Sequence, residues 1–207
     1  ILYGADAVFL AGQHYGLRGG SDNFSDFELE EAVKFAHSRK KKVYVTLNAF
    51  LHEPDMNSLP EYVDFLEECA VDAVIAADLG VMSVVQEKTE IPIHLSTQAS
   101  CLNLESAKAW KSMGVKRIIL GREATLSQAK RIKEEAGVDV EMFIHGAMCM
   151  AYSGNCTISN YTAGITFFIA VAATNLFHQG NWQRVYAAKN NYTLKKSLIL
   201  SFIIIIP

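Results

Sequence analysis

Two cysteines stand close together in a segment that follows a predicted strand. Cys149 and Cys156 are seven residues apart, and the pair His145-Gly146 stands at the end of that strand. Thiolates are soft ligands that favour zinc or an iron–sulfur cluster, but two thiols complete neither kind of site. Free cysteines are also among the most buried residue types, so two small buried hydrophobic side chains are the alternative. The spacing alone leaves a metal site and a structural role both open.

A second group of polar residues follows the ends of other predicted strands. His94, Ser96 and Gln98 alternate along the chain, which lets their side chains share one face of a strand. Arg122 could bind a carboxylate through two parallel hydrogen bonds, or could pair with its neighbour Glu123 at the surface. The strand bodies are apolar, so this polar set favours a working site.

The elements that must position these residues are strands and helices in alternation. Several of the strand-like runs are apolar without a clean period of two, which is typical of strands buried on both faces. Repeating units of roughly 20–35 residues predict parallel strands with right-handed helical crossovers. We predict an α/β fold, an incomplete TIM-type (β/α) barrel of about six parallel strands, with an open doubly wound sheet as the alternative. A closed barrel has eight strands, so we expect one more strand before Ile1 and one after Gly164. The six predicted strands are 6–10, 42–47, 72–76, 92–95, 117–120 and 141–144.

The helices between these strands carry start signals. Residues 25–28, 58–61 and 125–128 match the capping box, in which a serine or threonine and a glutamate or glutamine each bond the other's backbone N–H. Asp78 and Asn103 are candidate N-caps of two further helices. We therefore expect a helix after each of the first five strands.

The charge distribution changes near Gly164. Residues 1–164 have a net charge of −7, whereas residues 165–207 contain four basic residues and no acidic residue. The whole chain of 207 residues is 50% hydrophobic with a net charge of −3, which excludes a disordered chain and a strongly basic nucleic-acid-binding tail. No secretory signal opens the sequence, so the cytoplasm is the expected compartment. The apolar run 198–206 is shorter than the ~20 residues that a membrane-spanning helix needs.

The cysteine segment also resembles a known family. Residues 141–159 fit the pattern E-x-F-x-H-G-A/S-L/M-C-x6-C-x2-S of peptidase family U-32, the collagenase-like peptidases. The resemblance extends through residues 1–164 and is strongest with the branch that hydroxylates tRNA. The other matching motifs are residues 3–8, 45–48, 94–99 and 121–123, and Tyr161.

The resemblance implies a β/α barrel and, in well-studied branches, a [4Fe-4S] cluster held by four cysteines. Those branches hydroxylate their substrates without oxygen, among them the wobble uridine of tRNA and a cytidine of ribosomal RNA, and the branches that act on nucleic acids are linked to prephenate as the hydroxyl source. tRNA or another RNA is therefore the expected partner, and Cys149 and Cys156 match the first two cluster ligands. The candidate catalytic residues are His94, Gln98, Glu123 and His145, and the candidate substrate-binding residues are Arg18, Asn48, Ser96 and Arg122.

The sequence departs from the family pattern after Gly164. Members continue with a stretch that carries the other two ligand cysteines, whereas no cysteine follows Cys156 here, and Cys69 and Cys101 are not convincing substitutes. We interpret residues 1–164 as a partial barrel domain and residues 165–207 as a non-family tail, from a frameshifted or misassembled continuation or an unrelated terminal exon. Two other functions stay open, a collagenase-like peptidase that uses Cys149 and His145 on a peptide substrate, and an inactive truncated fragment.

Overall fold

The computed structural model describes residues 1, 3–17, 22–145 and 152–154, all within the compact unit Ile1–Asn160. In this part of the chain, strands and helices alternate from β1 to β6, and α5 is prolonged by a π-helical turn, Ile132–Ala136. The elements are β1 Ala7–Leu10, α1 Asp26–His37, β2 Lys42–Leu47, α2 Glu53–Glu68, β3 Ala73–Ala76, α3 Leu79–Lys88, β4 Ile93–Leu95, α4 Leu104–Ser112, β5 Arg117–Ile119, α5 Leu126–Arg131 and β6 Asp139–Glu141.

The described strands form a single parallel sheet in the order β1-β2-β3-β4-β5-β6. Each strand pairs with the next strand along the chain, as in a TIM-type barrel. A doubly wound sheet instead reverses its strand order at a switch point. The observed order confirms the incomplete barrel and excludes the doubly wound alternative for these six strands. The further strands expected before Ile1 and after Gly164 lie outside the described residues.

Alternation along the strands gives the sheet two different faces. Val43, Val45 and Leu47 on β2 are fully buried in the large core between the sheet and the helices. Tyr44 and Ile75 belong to a separate, small cluster on the opposite face, which we call the inner face of the sheet. Every second side chain of β2 therefore packs among the helices, and the side chains between them face the barrel interior.

Most helix starts were predicted correctly from the capping residues in the sequence. In the capping box of α1, the Glu28 backbone N–H donates to Ser25 Oγ, and the Ser25 N–H donates to the Glu28 carboxylate. α5 begins with the equivalent exchange after Thr125. Asp78 and Asn103 cap α3 and α4 as predicted.

The predicted start of α2 at residues 58–61 is wrong, because that helix begins at Glu53. The Asp55 carboxylate accepts a hydrogen bond of 2.8 Å from the His52 backbone N–H, and this contact satisfies one exposed donor at the earlier start. Pro60 consequently lies inside the helix, where it cannot donate to the carbonyl of Met56. Residues 58–61 have the residue types of a capping box but do not mark the start of this helix.

The sixth strand was predicted at 141–144 and lies instead at Asp139–Glu141. Gly137 ends the preceding helical segment with a φ of 62°, so the chain is already extended two residues later. The neighbouring strand β5 stops at Ile119, which pairs with Glu141, and β6 has no β5 partner beyond that point. Phe143 and Ile144 therefore follow the strand and are 51% and 95% exposed.

Candidate functional site

The carboxyl ends of β2 and β4 bring three predicted residues into contact. Asn48 Nδ2 donates a hydrogen bond of 3.4 Å to Ser96 Oγ, and Asn48 Oδ1 accepts one of 3.2 Å from the Leu17 backbone N–H. The Gln98 backbone N–H also donates to Ser96 Oγ, at 3.4 Å. Ser96 is buried, so this hydroxyl joins the two strand ends below the surface.

The alternation expected for His94, Ser96 and Gln98 does not continue to Gln98. Strand β4 ends at Leu95, and residues Thr97–Ala99 form a 3₁₀ turn that Ser96 caps. Within the turn, Gln98 Oε1 is buried and has no hydrogen-bond partner in the part of the chain that the structure describes. The three residues thus lie in one segment, but on a strand and a turn rather than along a single strand face.

His94 lies in the middle of β4 on the inner face and is buried. Its ring meets the Tyr44 ring edge-on, with 4.6 Å between the ring centroids. The pKa of His94 is lowered to about 4, chiefly by burial and in addition by the nearby positive charge of Arg117. At neutral pH the imidazole is therefore uncharged and can exchange hydrogen bonds with a substrate inside the barrel.

Several polar residues near His94 escaped the sequence prediction. Arg117 on β5 donates a hydrogen bond of 3.2 Å to the Tyr44 hydroxyl, and its guanidinium lies 3.7 Å from the Asp139 carboxylate and 4.0 Å from that of Glu141. The sequence did contain a signal for Arg117, because it is a charged residue in an otherwise apolar strand. Its position in the alternation of that strand places it on the inner face. We call Tyr44, His94, Arg117, Asp139 and Glu141 the inner-face cluster.

The short segment Tyr152–Gly154, which belongs to the cysteine motif, packs against the loops that follow β4 and β5. Ser153 is fully buried. Its backbone N–H donates to Glu123 Oε1 at 3.0 Å, its Oγ accepts from the Arg122 N–H at 3.0 Å, and its carbonyl accepts from Ser100 Oγ at 2.5 Å. Every polar group of Ser153 therefore has a partner, and we call these contacts the Ser153 clamp.

The clamp gives Glu123 a structural task. Desolvation raises the pKa of the Glu123 carboxyl, but the hydrogen bonds from Ser153 and the charge of Arg122 outweigh it, so the pKa is lowered. One carboxylate oxygen is already used by the Ser153 N–H. The Arg122 guanidinium lies 5.9 Å from the centre of the Phe143 ring. The predicted catalytic role of Glu123 and the predicted carboxylate-binding role of Arg122 stay predictions.

The remaining predicted residues are dispersed. His145 is exposed at the end of the segment after β6. Arg18, Cys149 and Cys156 lie outside the described residues. Within the described ranges no three metal-ligating side chains gather, and the thiols there are Cys69 and the buried Cys101, both with a pKa raised by burial. The prediction that Cys69 and Cys101 do not complete the ligand set stays a prediction.

Comparison with known proteins settles the family. The sequence model of peptidase family U32 matches residues 1–166. The chain belongs to peptidase family U32. This U32 chain is 42% identical over 162 residues to tRNA hydroxylation protein P1 of Bacillus subtilis, a match that covers 78% of the chain and 38% of that relative. It is 40% identical over 169 residues to an uncharacterized protease of Methanocaldococcus jannaschii, covering 79% of the chain and 41% of that protein.

The fold comparison agrees with the topology. A solved U32 peptidase structure superposes with a TM-score of 0.56 at 18% identity, covering 66% of this U32 chain and 60% of that one. The likeness confirms the barrel-type α/β fold. The chain spans about two fifths of the two relatives' length. Among the described residues, none of the helices combines the length and apolarity required to cross a membrane.

Proposed function

We propose that this U32 chain is the barrel portion of an enzyme that hydroxylates RNA without oxygen, with the wobble uridine of tRNA as its substrate. The observation that carries the proposal is the 42% identity to a tRNA hydroxylation protein over the residues that build the site. The geometry supports it, because the strand ends present neutral hydrogen-bonding groups. Such groups suit an uncharged pyrimidine ring.

Within this proposal each described residue has a defined task. The uncharged imidazole of His94 exchanges a hydrogen bond with the bound base, and the buried Gln98 Oε1 accepts a second one. Asn48 is fixed by the Leu17 N–H and by Ser96, so its amide has one orientation. His145 and Arg18 are proposed to contact the RNA at the rim.

The cofactor and the co-substrate are proposed from the family. Cys149 and Cys156 would provide two thiolates to a [4Fe-4S] cluster, whose chemistry in the family is oxygen-independent hydroxylation. Arg122 is proposed to bind a carboxylate of prephenate through paired hydrogen bonds.

The domain boundary and the compartment belong to the same proposal. Residues 1–164 would be the family barrel domain, and residues 165–207, which carry four basic and no acidic residues, would be of different origin. The enzyme would act in the cytoplasm, where tRNA is found. Sequencing the genomic DNA on both sides of residue 164 tests the boundary. Finding the missing cysteines in another reading frame supports it, whereas an uninterrupted frame with a stable expressed product contradicts it.

The function is tested by segment replacement, because the chain matches only part of each relative. The matching segment of the Bacillus subtilis P1 protein is exchanged for residues 1–160 of this chain, in a strain that lacks its own tRNA hydroxylation proteins. Nucleosides from purified tRNA and ribosomal RNA are then quantified by mass spectrometry. Restored 5-hydroxyuridine in tRNA supports the proposal, and 5-hydroxycytidine in ribosomal RNA alone would assign a different RNA.

A collagenase-like peptidase is the second candidate, favoured by the 40% identity to an uncharacterized protease. A cysteine or serine nucleophile needs an adjacent base. Cys149, the predicted nucleophile of this alternative, lies outside the described residues. Gelatin cleavage by the intact chain that survives iron removal and disappears in Cys149→Ala would favour the peptidase instead.

A further inference from the structure

The inner-face cluster replaces the branched apolar side chains that normally fill a TIM-type barrel. The strand register places Arg117 opposite His94 and Asp139 opposite Arg117, so a neutral imidazole, a cation and a carboxylate follow one another across three strands. Tyr44 reaches the same place from β2 through its hydrogen bond to Arg117. The cluster is therefore built by long-range pairing and is not a local surface feature.

The charge of Arg117 is already compensated within the cluster. Two carboxylates and the Tyr44 hydroxyl surround its guanidinium, which leaves it poorly placed to capture an additional anion. His94 differs, because its buried Nδ1 has no hydrogen-bond partner among the described residues. Buried polar atoms in folded proteins are nearly always paired, so an orphaned ring nitrogen indicates a missing ligand.

Resting on the function proposed above, we propose that Tyr44 and Arg117 are positioning residues for His94. Tyr44 packs edge-on against the imidazole and fixes the ring plane, while the positive charge of Arg117 adds to burial in disfavouring the protonated ring. His94 Nδ1 then meets the substrate as an uncharged hydrogen-bonding atom. The hydrogen bond of 3.2 Å to the Tyr44 hydroxyl tethers the Arg117 side chain beside the ring, and the two carboxylates lie 3.7 Å and 4.0 Å from its guanidinium.

The electrostatics around His94 agree with this assignment. Ile75 on β3 and Arg117 on β5 lie opposite His94 in the strand register, and Tyr44 on β2 packs against its ring. The charges of Lys42 on β2 and Asp139 on β6 also act on the imidazole, whereas Glu141 lies 4.0 Å from Arg117. Burial is the largest cause of the lowered pKa of His94, Arg117 and Lys42 act in the same direction, and Asp139 opposes them. Removing Arg117 and removing Asp139 must therefore shift the titration of His94 in opposite directions.

The test is an NMR titration of histidine side chains in the intact chain of 207 residues. We expect Arg117→Gln to raise the His94 midpoint by about 0.5 pH unit or more, which makes the protonated fraction about threefold larger at a given pH above both midpoints. Arg117→Lys retains the charge and should stay close to the parent. Tyr44→Phe removes one tether of Arg117 and should give a smaller rise than Arg117→Gln. Asp139→Asn should lower the midpoint.

Asp139→Asn also protects the test against unfolding, because the Asp139 side chain is 59% exposed and its replacement spares the core. An unchanged or lowered midpoint in a folded Arg117→Gln variant, or a raised midpoint in Asp139→Asn, overturns the positioning role. The titration contains no RNA. Predicted shifts combined with no hydroxylation by the segment-replacement protein would therefore refute the proposed function and leave the positioning role intact.

Discussion

The Ser153 clamp makes a sharp prediction for Gly154. This residue has a φ of +86°, a conformation that costs alanine about 1–2 kcal/mol. A Cβ at this position would also lie 2.6 Å from the Gln98 carbonyl oxygen and would collide with Ser100 Oγ. The carbonyl belongs to the turn after β4 and cannot move without disturbing the buried Ser96. Gly154→Ala should therefore displace the segment from its docking site.

The magnitude follows from the contacts that are lost. Backbone strain of about 1–2 kcal/mol adds to about 1 kcal/mol for the hydrogen bond between Ser100 and Ser153. Since every 1.4 kcal/mol is a factor of ten, amide hydrogen exchange at Ser153 should accelerate by about tenfold or more. The measurement is hydrogen exchange followed by NMR or by mass spectrometry of the peptide that contains Ser153.

Gly4→Ala is the matched control. Gly4 has a similar φ of +94°, but among the described residues other than its chain neighbours no atom lies within 4 Å of the position that its Cβ would take. Gly4→Ala should cause the backbone strain alone. Hydrogen exchange at the Ser153 amide should stay unchanged relative to that of the neighbouring amides. Equal protection of Ser153 in Gly154→Ala and the parent chain would refute the clamp.

Three further predictions concern stability. Burial is the main cause that lowers the pKa of His94 from 6.5 to about 4, so the unfolded chain binds the additional proton first. The free energy of unfolding should therefore fall by at most about 3 kcal/mol as the pH drops from about 6.5 to about 4. In denaturant unfolding, the dependence of this free energy on pH should be flatter for His94→Gln. Ala70 has a φ of +57°, so Ala70→Gly should raise the free energy of unfolding by about 0.5–1 kcal/mol. Gly114 has a φ of +93°, so Gly114→Ala should lower the free energy of unfolding by about 1–2 kcal/mol in the same assay. Ser25→Ala removes the N-cap of α1 and should cost about 1 kcal/mol, and an unchanged urea midpoint would contradict that cap.

What the sequence predicted well depends on neighbours along the chain. The first five strands were recognisable because each is a short, mostly apolar run. Ser25 and Thr125 were recognisable as N-caps because their partners lie three residues away. The end of β6 was misplaced because the length of that strand is set by β5, its hydrogen-bonding partner. Ser58 was misread because the helix already begins upstream at Glu53, where the Asp55 carboxylate accepts a hydrogen bond from the His52 backbone N–H.

The site was predicted less completely, for the same physical reason. Asn48 and Ser96 follow β2 and β4, which lie on either side of β3, so the parallel topology brought both residues to the same edge of the sheet. Tyr44 and Arg117 are 73 residues apart, and only the register of the sheet shows that they meet. Ser153 and Glu123 are 30 residues apart, and no local pattern indicates that the carboxylate anchors a backbone N–H rather than serving as a catalytic group.

The most direct test of the proposed RNA hydroxylation is the amount of 5-hydroxyuridine in tRNA from anaerobically grown cells that carry the segment-replacement protein. The measurement compares the parent segment with a His94→Gln segment expressed at the same level, and the intact Bacillus subtilis protein serves as the positive control. The account predicts that the parent segment restores 5-hydroxyuridine and that His94→Gln reduces it by about tenfold or more, because the substitution removes the imidazole that meets the base. The proposed function would be contradicted if the intact Bacillus subtilis protein restores 5-hydroxyuridine but the segment-replacement protein with the parent segment, although stable, does not.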